Sequence, residues 1–317
     1  MMKLKHIVDN KQLVNELIKK WLGSDEFRLS DNFRISSNSI YMFNYIDKDY
    51  VIRFAPLEEK ELNQIKAEVE FVNYLRDNFL EVPKFISSVN GKQVESIHTE
   101  FGEYYVTVYE KIKGISSEDV LVDEKKVRDI GRKLAMLHSL SSKYTPTLRR
   151  KSVEEVLNWL ITELGNYEKQ EEVLEEAVSI KELFGLLKMN QDNYGLIHFD
   201  FELDNLLYDE DEDKLSIIDF DDSMYNYYGT DIVQTIDNIK EETDVDFDIR
   251  EELLTGYRTL REYNEGSEEL LRRFGKLLKY VRVKRSISNV PKIIPEWMES
   301  LIMRLTDILN EYKQNIK

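Results

Sequence analysis

The sequence predicts an α+β protein of two lobes: a small β-rich lobe over residues 1–112 and a larger, mostly helical lobe over residues 113–317. Three observations carry this. Before Gly114 a helical pattern is followed by strand, strand, helix and further strands. After Gly114 apolar residues recur at spacings of three and four. Residues 195–222 interrupt that helical run with strand- and loop-like composition. The 317 residues suffice for one large domain or two closely packed lobes.

The first helix is read from Leu13, Leu17 and Trp21, with Val14, Ile18 and Leu22 beside them, and Asp9 or Asn10 as its cap. Two strands are expected at 40–45 and 50–54, joined by the turn-like Asp47-Lys48-Asp49. Leu62, Ile65, Val69, Val72 and Leu75 space a second helix, which Val82-Pro83 closes off. Strands are expected at 85–89, ahead of Asn90-Gly91, and at 104–110. In the second lobe Val127, Ile130, Leu134 and Leu137 form a helical face. The acidic stretch 209–213 reads as a solvated hairpin turn.

Composition narrows the function. The formal net charge of −17 would repel nucleic acid and anionic membranes, so neither is an expected partner. With no cysteine there is no disulfide, thiolate metal site or cysteine nucleophile. The charged residues near the N-terminus break up any signal-peptide core, and no apolar run approaches the ~18 residues of a membrane span. A cytoplasmic location is expected.

The chemistry concentrates in Ile197-His198-Phe199-Asp200-Phe201-Glu202-Leu203-Asp204-Asn205 and Ile217-Ile218-Asp219-Phe220-Asp221-Asp222. Phosphoryl transfer needs an acceptor for the substrate hydroxyl's proton and hard oxygen ligands for Mg²⁺. Asp200 precedes Asn205 by five residues, the interval between Asp and Asn in the kinase catalytic loop. Asp219 follows fourteen residues later, at the end of an apolar strand-like run. A lone Asp-x-x-x-x-Asn is weak in so acidic a chain; its force lies in the joint pattern. His198 and His138 read as hydrogen-bonded structural histidines, and His6 and His98 have no partner legible in the sequence.

His-x-Asp-x-x-x-x-Asn followed by Ile-Asp-Phe-x-Asp resembles the aminoglycoside phosphotransferase and choline kinase superfamily, whose first motif usually reads H-G-D-x-H-x-x-N. The resemblance implies a protein-kinase-like two-lobed fold and transfer of the γ-phosphate of ATP to a small-molecule hydroxyl. It implies Asp200 as catalytic base, Asn205 and Asp219 as Mg²⁺ ligands, and His198 as a structural residue of the loop. Phe199 stands where Gly is usual, and Glu202-Leu203-Asp204 where His, Pro and Gly are common.

A kinase-like small lobe needs a strand cation and a helix carboxylate. Arg53, in an apolar strand, and Glu68, at the edge of the apolar helical face, fit that need and match the family's ion pair. By resemblance Ser36, Ser37, Asn38 and Ser39 form the phosphate-covering loop, a stretch that equally reads as a plain hairpin turn. The resemblance also makes Glu110 and Ile112 the hinge backbone that meets adenine, and Leu134-Ala135-Met136-Leu137-His138 a family helix. By resemblance the acceptor pocket is expected around residues 153–189 and the C-terminal helices, with Trp159, Tyr167, Asp222, Tyr225, Tyr227, Tyr228 and Trp297 as candidates and an acceptor carrying a cationic amine. A protein kinase is disfavoured because no D-F-G or A-P-E surrounds Asp219. The other alternative is a nucleotide-binding or structural relative without turnover.

Overall fold

The computed structural model describes residues 3–6, 10–35, 38–120, 122–263, 266–291, 294 and 296–315. Helix α1 (Lys11–Leu22) begins where Asn10 Oδ1 accepts the N–H of Leu13 at 3.0 Å. The other proposed cap, Asp9, lies outside the described residues. Gly23 ends the helix in a left-handed conformation that leaves its N–H aimed at Lys19 O. Five strands surround the next helix: β1 (Arg28–Ile35), β2 (Ser39–Tyr45) and β3 (Lys48–Pro56) before it, and β5 (Glu95–Thr99) and β6 (Gly102–Glu110) after it, with the two-residue β4 (Lys84–Phe85) between. That helix is α2 (Leu62–Asp77).

The strands form one antiparallel sheet in the order β1-β2-β3-β6-β4, with β5 added to β6. Successive side chains of a strand point to opposite faces. On β3, Ile52 and Phe54 pack with Leu17, Ile18 and Trp21 of α1. Arg53, between them, therefore points to the face that α2 covers.

Several expected elements shift. The β2–β3 turn is at Ile46 and Asp47, both at positive φ, so Lys48 and Asp49 already belong to β3. The strand expected at 85–89 shrinks to β4, whose pairing with β6 ends at Phe85. Strands β1 and β5 were not legible, because RLSDNFRI and ESIHT are too polar to show apolar alternation.

The chain leaves β6 through residues 111–114 and enters the helical lobe. There β7 (Ile115–Ser116) precedes α3 (Glu124–Ser141), α4 (Val153–Leu164) and α5 (Glu171–Leu186). Four short strands follow: β8 (Tyr194–Ile197), β9 (Leu206–Asp209), β10 (Lys214–Ile217) and β11 (Met224–Tyr227). Helices α6 (Gly229–Glu242), α7 (Ile249–Arg258), α8 (Glu268–Ile287) and α9 (Glu296–Asn315) complete it. β9 and β10 form the expected acidic hairpin, and β8 pairs with β11. Among the described residues no helix is long and apolar enough to cross a membrane.

The lobes share packing. Phe71, Val72 and Leu75 of α2 belong to the same buried cluster as Leu134, Phe201 and Phe220 of the helical lobe. Helices α3 and α7 approach so closely that a Cβ on Gly131 would lie 2.0 Å from Leu253 O, and one on Gly256 1.9 Å from Arg128 O. Only glycine permits that spacing, and it brings Tyr257 of α7 against His138 of α3.

Candidate active site

The loop after β8 is held by one buried carboxylate. Asp231, fully buried in the first turn of α6, accepts the N–H of His198 at 2.9 Å and of Phe199 at 2.7 Å. It also accepts His138 Nε2–H at 3.1 Å, while His138 Nδ1 accepts the Tyr257 hydroxyl at 3.0 Å. Burial holds the His138 imidazole below its usual pKa, which fits this neutral tautomer. His138 is structural, as its sequence context suggested.

His198 braces the same loop. Its Nε2–H donates to Ile218 O at 2.9 Å, leaving Nδ1 to accept the Asp200 N–H at 3.3 Å. Its ring also meets Phe220 edge-on at 4.5 Å, and Phe220 contacts Phe71 of α2. Between these contacts the chain turns sharply at Phe199, with φ +70°. A left-handed backbone costs an ordinary residue about 1–2 kcal/mol, and glycine much less. That is a physical reason for the family's usual glycine and a sign that something compensates here.

The turn presents Asp200. Asn205 Nδ2 donates to Asp200 O at 3.0 Å and to Oδ2 at 2.9 Å, which leaves Asn205 Oδ1 available to a cation. Ile218 N–H donates to Asn205 O at 2.9 Å, so the strand end carrying Asp219 is tied to the loop carrying Asp200. Asp219 also has a left-handed backbone, φ +59°. Its Oδ1 is buried without a hydrogen-bond partner, and Arg53 Nη1 lies 3.8 Å away. Burial, reinforced by Asp221, pushes the Asp219 carboxyl up to about 7. Burial, followed by the negative charge of Asp222, pushes Asp200 up to about 6. Two carboxyls raised in one cleft, with Asp219 Oδ1 lacking a donor, are a pair that a cation would stabilise.

From the sheet side, Arg53 Nη1 meets Glu68 Oε1 at 2.7 Å and Nη2 meets Oε2 at 2.9 Å, a two-pronged pair. The pairing follows the sequence reading, but the position does not. Glu68 is 1% exposed, buried within α2 rather than at the edge of its apolar face. Beside it Asp221 binds Lys60 at 2.5 Å and is held well below the usual carboxylate range despite its burial. Buried Arg150 gathers the carbonyls of Ser223 (2.7 Å), Gln64 (2.8 Å) and Asp221 (2.5 Å), fastening α2 to the Asp219 loop.

The remaining candidates divide. Asn38 is buried just before β2, whereas Ser36 and Ser37 lie outside the described residues. Arg34, just before them, reaches Asp204 of the loop that carries Asp200 at 2.6 Å. Glu110 and Ile112 line an open cavity of about 480 Å³ at the inter-lobe segment. Trp159 and Asp222 line another of about 390 Å³ with Glu59, Leu278, Arg282 and Arg285. Asp222 accepts a hydrogen bond from Arg282 at 2.6 Å.

The tyrosines expected to wall the acceptor pocket do not reach this cavity. Tyr227 and Tyr228 are core residues that border a separate cavity of about 640 Å³ with Tyr257 and Arg261. Tyr225 lies beneath Arg149, and Tyr167 donates to Glu163 under Lys284. The Trp297 side chain lies outside the described residues. His6 and His98, without legible partners in the sequence, sit 2.9 Å from Glu58 and 3.5 Å from Glu103.

Sequence reading missed Asp231, Arg150 and Arg282. For Asp231 one signal existed: a carboxylate set among Ile232, Val233, Ile236 and Ile239 on a helix has to find buried donors.

Residues 34–268 match the model of a family described as phosphotransferase enzyme family. Amicoumacin kinase of Bacillus subtilis (strain 168) is 27% identical over 244 residues, 74% of this chain and 70% of that protein. Among solved structures, an amicoumacin kinase in complex with AMP-PNP, Ca²⁺ and Ami superposes with a TM-score of 0.75 at 19% identity, covering 96% of this chain and 94% of its own. A microcompartment-associated aminopropanol kinase gives 0.66 at 18% identity, with 97% and 98% covered. The two structures share the protein-kinase-like architecture seen here.

Proposed function

The chain belongs to the phosphotransferase enzyme family, and from that premise we propose that it transfers the γ-phosphate of ATP to a hydroxyl of a small molecule in a Mg²⁺-dependent reaction. The observation that carries this is the meeting, in one cleft, of Asp200, Asn205 and Asp219 with the Arg53–Glu68 pair. The nucleotide lobe is residues 1–112 and the acceptor lobe residues 113–317.

Asp200 is the base. Its carboxylate is oriented by the Asn205 amide and its burial raises its basicity, so it can accept the hydroxyl's proton and aim the oxygen at phosphorus. Arg53, held by Glu68, supplies positive charge to the phosphates. Asn205 Oδ1 and Asp219 Oδ1 would hold Mg²⁺, and the raised carboxyl of Asp219, whose Oδ1 has no hydrogen-bond donor, fits that use. Mg²⁺ would neutralise charge on the phosphate oxygens. Among the described residues no three His, Asp or Glu side chains form a ready-made metal cluster. Glu110 and Ile112 would offer backbone groups to adenine, and Ser36, Ser37 and Asn38 would cover the phosphates.

The cavity beside Asp222 takes the acceptor. Lys60, Lys151, Arg282 and Arg285 face Glu58, Glu59, Glu61 and Asp222 there, so the chain's overall acidity does not extend to this wall. An amine on the acceptor would instead be read locally, by the Trp159 ring and a carboxylate. The relatives that act on amicoumacin and aminopropanol support a small alcohol of this kind.

The test is transfer of labelled γ-phosphate from ATP to a panel of amino alcohols, aminoglycosides and amicoumacin. Labelled phosphoester on at least one member, abolished by EDTA, is expected. Transfer to none of them, or transfer undiminished by EDTA, contradicts the reading.

A further inference from the structure

Phe199 is the departure from the family motif that the chemistry above leaves unused. The main chain there has the left-handed φ that suits glycine, and Asp231 holds it by accepting the Phe199 N–H at 2.7 Å. A phenylalanine at such a point has to be retained by what its ring does. The residue is 6% exposed, and its ring packs on helix α8. It meets the Phe274 ring edge-on at 5.7 Å, and the Arg282 guanidinium lies 5.7 Å over its centroid. Phe274, Leu278 and Arg282 are spaced by four, so they share one face of the helix. The far end of that face opens into the 390 Å³ cavity, where Arg282 binds Asp222 at 2.6 Å. Asp222 and Arg282 are also among the charges felt by the Asp200 carboxyl.

We infer that Phe199 is a positioning residue for the acceptor: its ring supports Arg282, fixes the Arg282–Asp222 pair, and so couples the turn that carries Asp200 to the wall that receives the alcohol. The ring plane restricts the guanidinium from one side and the Asp222 carboxylate from the other, so Arg282 presents one edge to the cavity. The departure at the glycine position then acts on acceptor recognition and leaves the nucleotide groups, Arg53, Asn205 and Asp219, untouched. This rests on the reading that the cavity beside Asp222 takes the acceptor.

Two measurements test it. The first is steady-state kinetics of wild type, Phe199→Leu and Phe199→Tyr, with aminopropanol, spectinomycin and amicoumacin as acceptors. Phe199→Leu keeps apolar volume but removes the ring face. The acceptor KM is expected to rise by about three- to tenfold, the scale of a partly buried cation–π contact. The KM for ATP and kcat should stay within about twofold. Phe199→Tyr, which keeps the ring, should restore the acceptor KM. An acceptor KM unchanged in Phe199→Leu, or one that rises together with the KM for ATP, overturns the inference.

The second is a double-mutant cycle of Phe199→Leu with Arg282→Met, read as urea midpoints without any acceptor. Non-additive midpoints are expected, and additive ones overturn the inference. Because the cycle needs no turnover, absence of phosphoester on all three acceptors would fault the functional reading alone, and the cycle would still decide whether Phe199 supports Arg282.

Discussion

Asp231 accepts three hydrogen bonds in a place that water does not reach, and two of them come from the consecutive main-chain N–H groups of His198 and Phe199 at the sharp bend. The position of Asp200 thus depends on a fully buried residue further along the chain. The three groups proposed for the chemistry could be picked out by their spacing, five residues from Asp200 to Asn205 and fourteen more to Asp219, because the first interval is that of the kinase catalytic loop. Asp231 was not readable, since its donors come from the loop after β8 and from α3, which the sequence does not place beside it.

Glu68 carries a related lesson. Helical spacing put it at the edge of an apolar face, where its loss would spare the fold; burial against Arg53 changes that expectation. Glu68→Ala strands a buried guanidinium, and removing one partner of a buried pair typically costs about 3–5 kcal/mol. Urea unfolding should show a loss of that order together with weaker nucleotide binding. A loss below about 1 kcal/mol, the level of an exposed pair, would show that Arg53 finds water or another carboxylate instead.

At the scale of elements, long amphipathic helices and well-patterned strands were legible, and the short polar ones were not. Helices α2 and α3 match their apolar spacing, whereas β1 and β5 are strands because neighbours pair with them, not because of their own pattern. Glycine in the interior of α3 and α7 reads locally as a weak point of the helix. Its reason is the partner helix: Gly131 and Gly256 let the two backbones meet and bring Tyr257 onto His138. Gly256→Ala should therefore destabilise the protein, by about 1–3 kcal/mol for overpacking, although alanine is the better helix former. A melting temperature equal to or above that of wild type would mean that the helices can part without cost.

At the scale of the whole molecule, the cleft is assembled from both lobes. Arg53 and Glu68 come from the sheet and α2, and Asp200, Asn205 and Asp219 from the helical lobe. Arg150, Lys60 and Arg34 tie the two together across the cleft. The balance of charge around the cavity beside Asp222 also appears only at this scale, because Arg282 and Arg285 arrive from α8, far from Asp222 in sequence. Assembly across lobes has a consequence for the metal. ATP should bind much more tightly with Mg²⁺ than with EDTA, and Asp219→Ala should remove most of that difference while Arg53 still attracts the phosphates. Isothermal calorimetry decides it, and an undiminished Mg²⁺ dependence in Asp219→Ala would take Asp219 out of the metal site.

The central claim, a small-molecule kinase with Asp200 as its base, meets its most direct test in a single turnover. Wild type and Asp200→Asn would each be mixed with labelled Mg–ATP and the alcohol that accepts phosphate best, then quenched on the millisecond-to-second scale. Asparagine keeps the shape of the side chain and its contact with Asn205 but removes the charge and nearly all of the basicity. The account expects ATP affinity within a few-fold of wild type and a transfer rate lower by about 10²–10⁴, the range for a positioned base. Transfer by Asp200→Asn at the wild-type rate would contradict it.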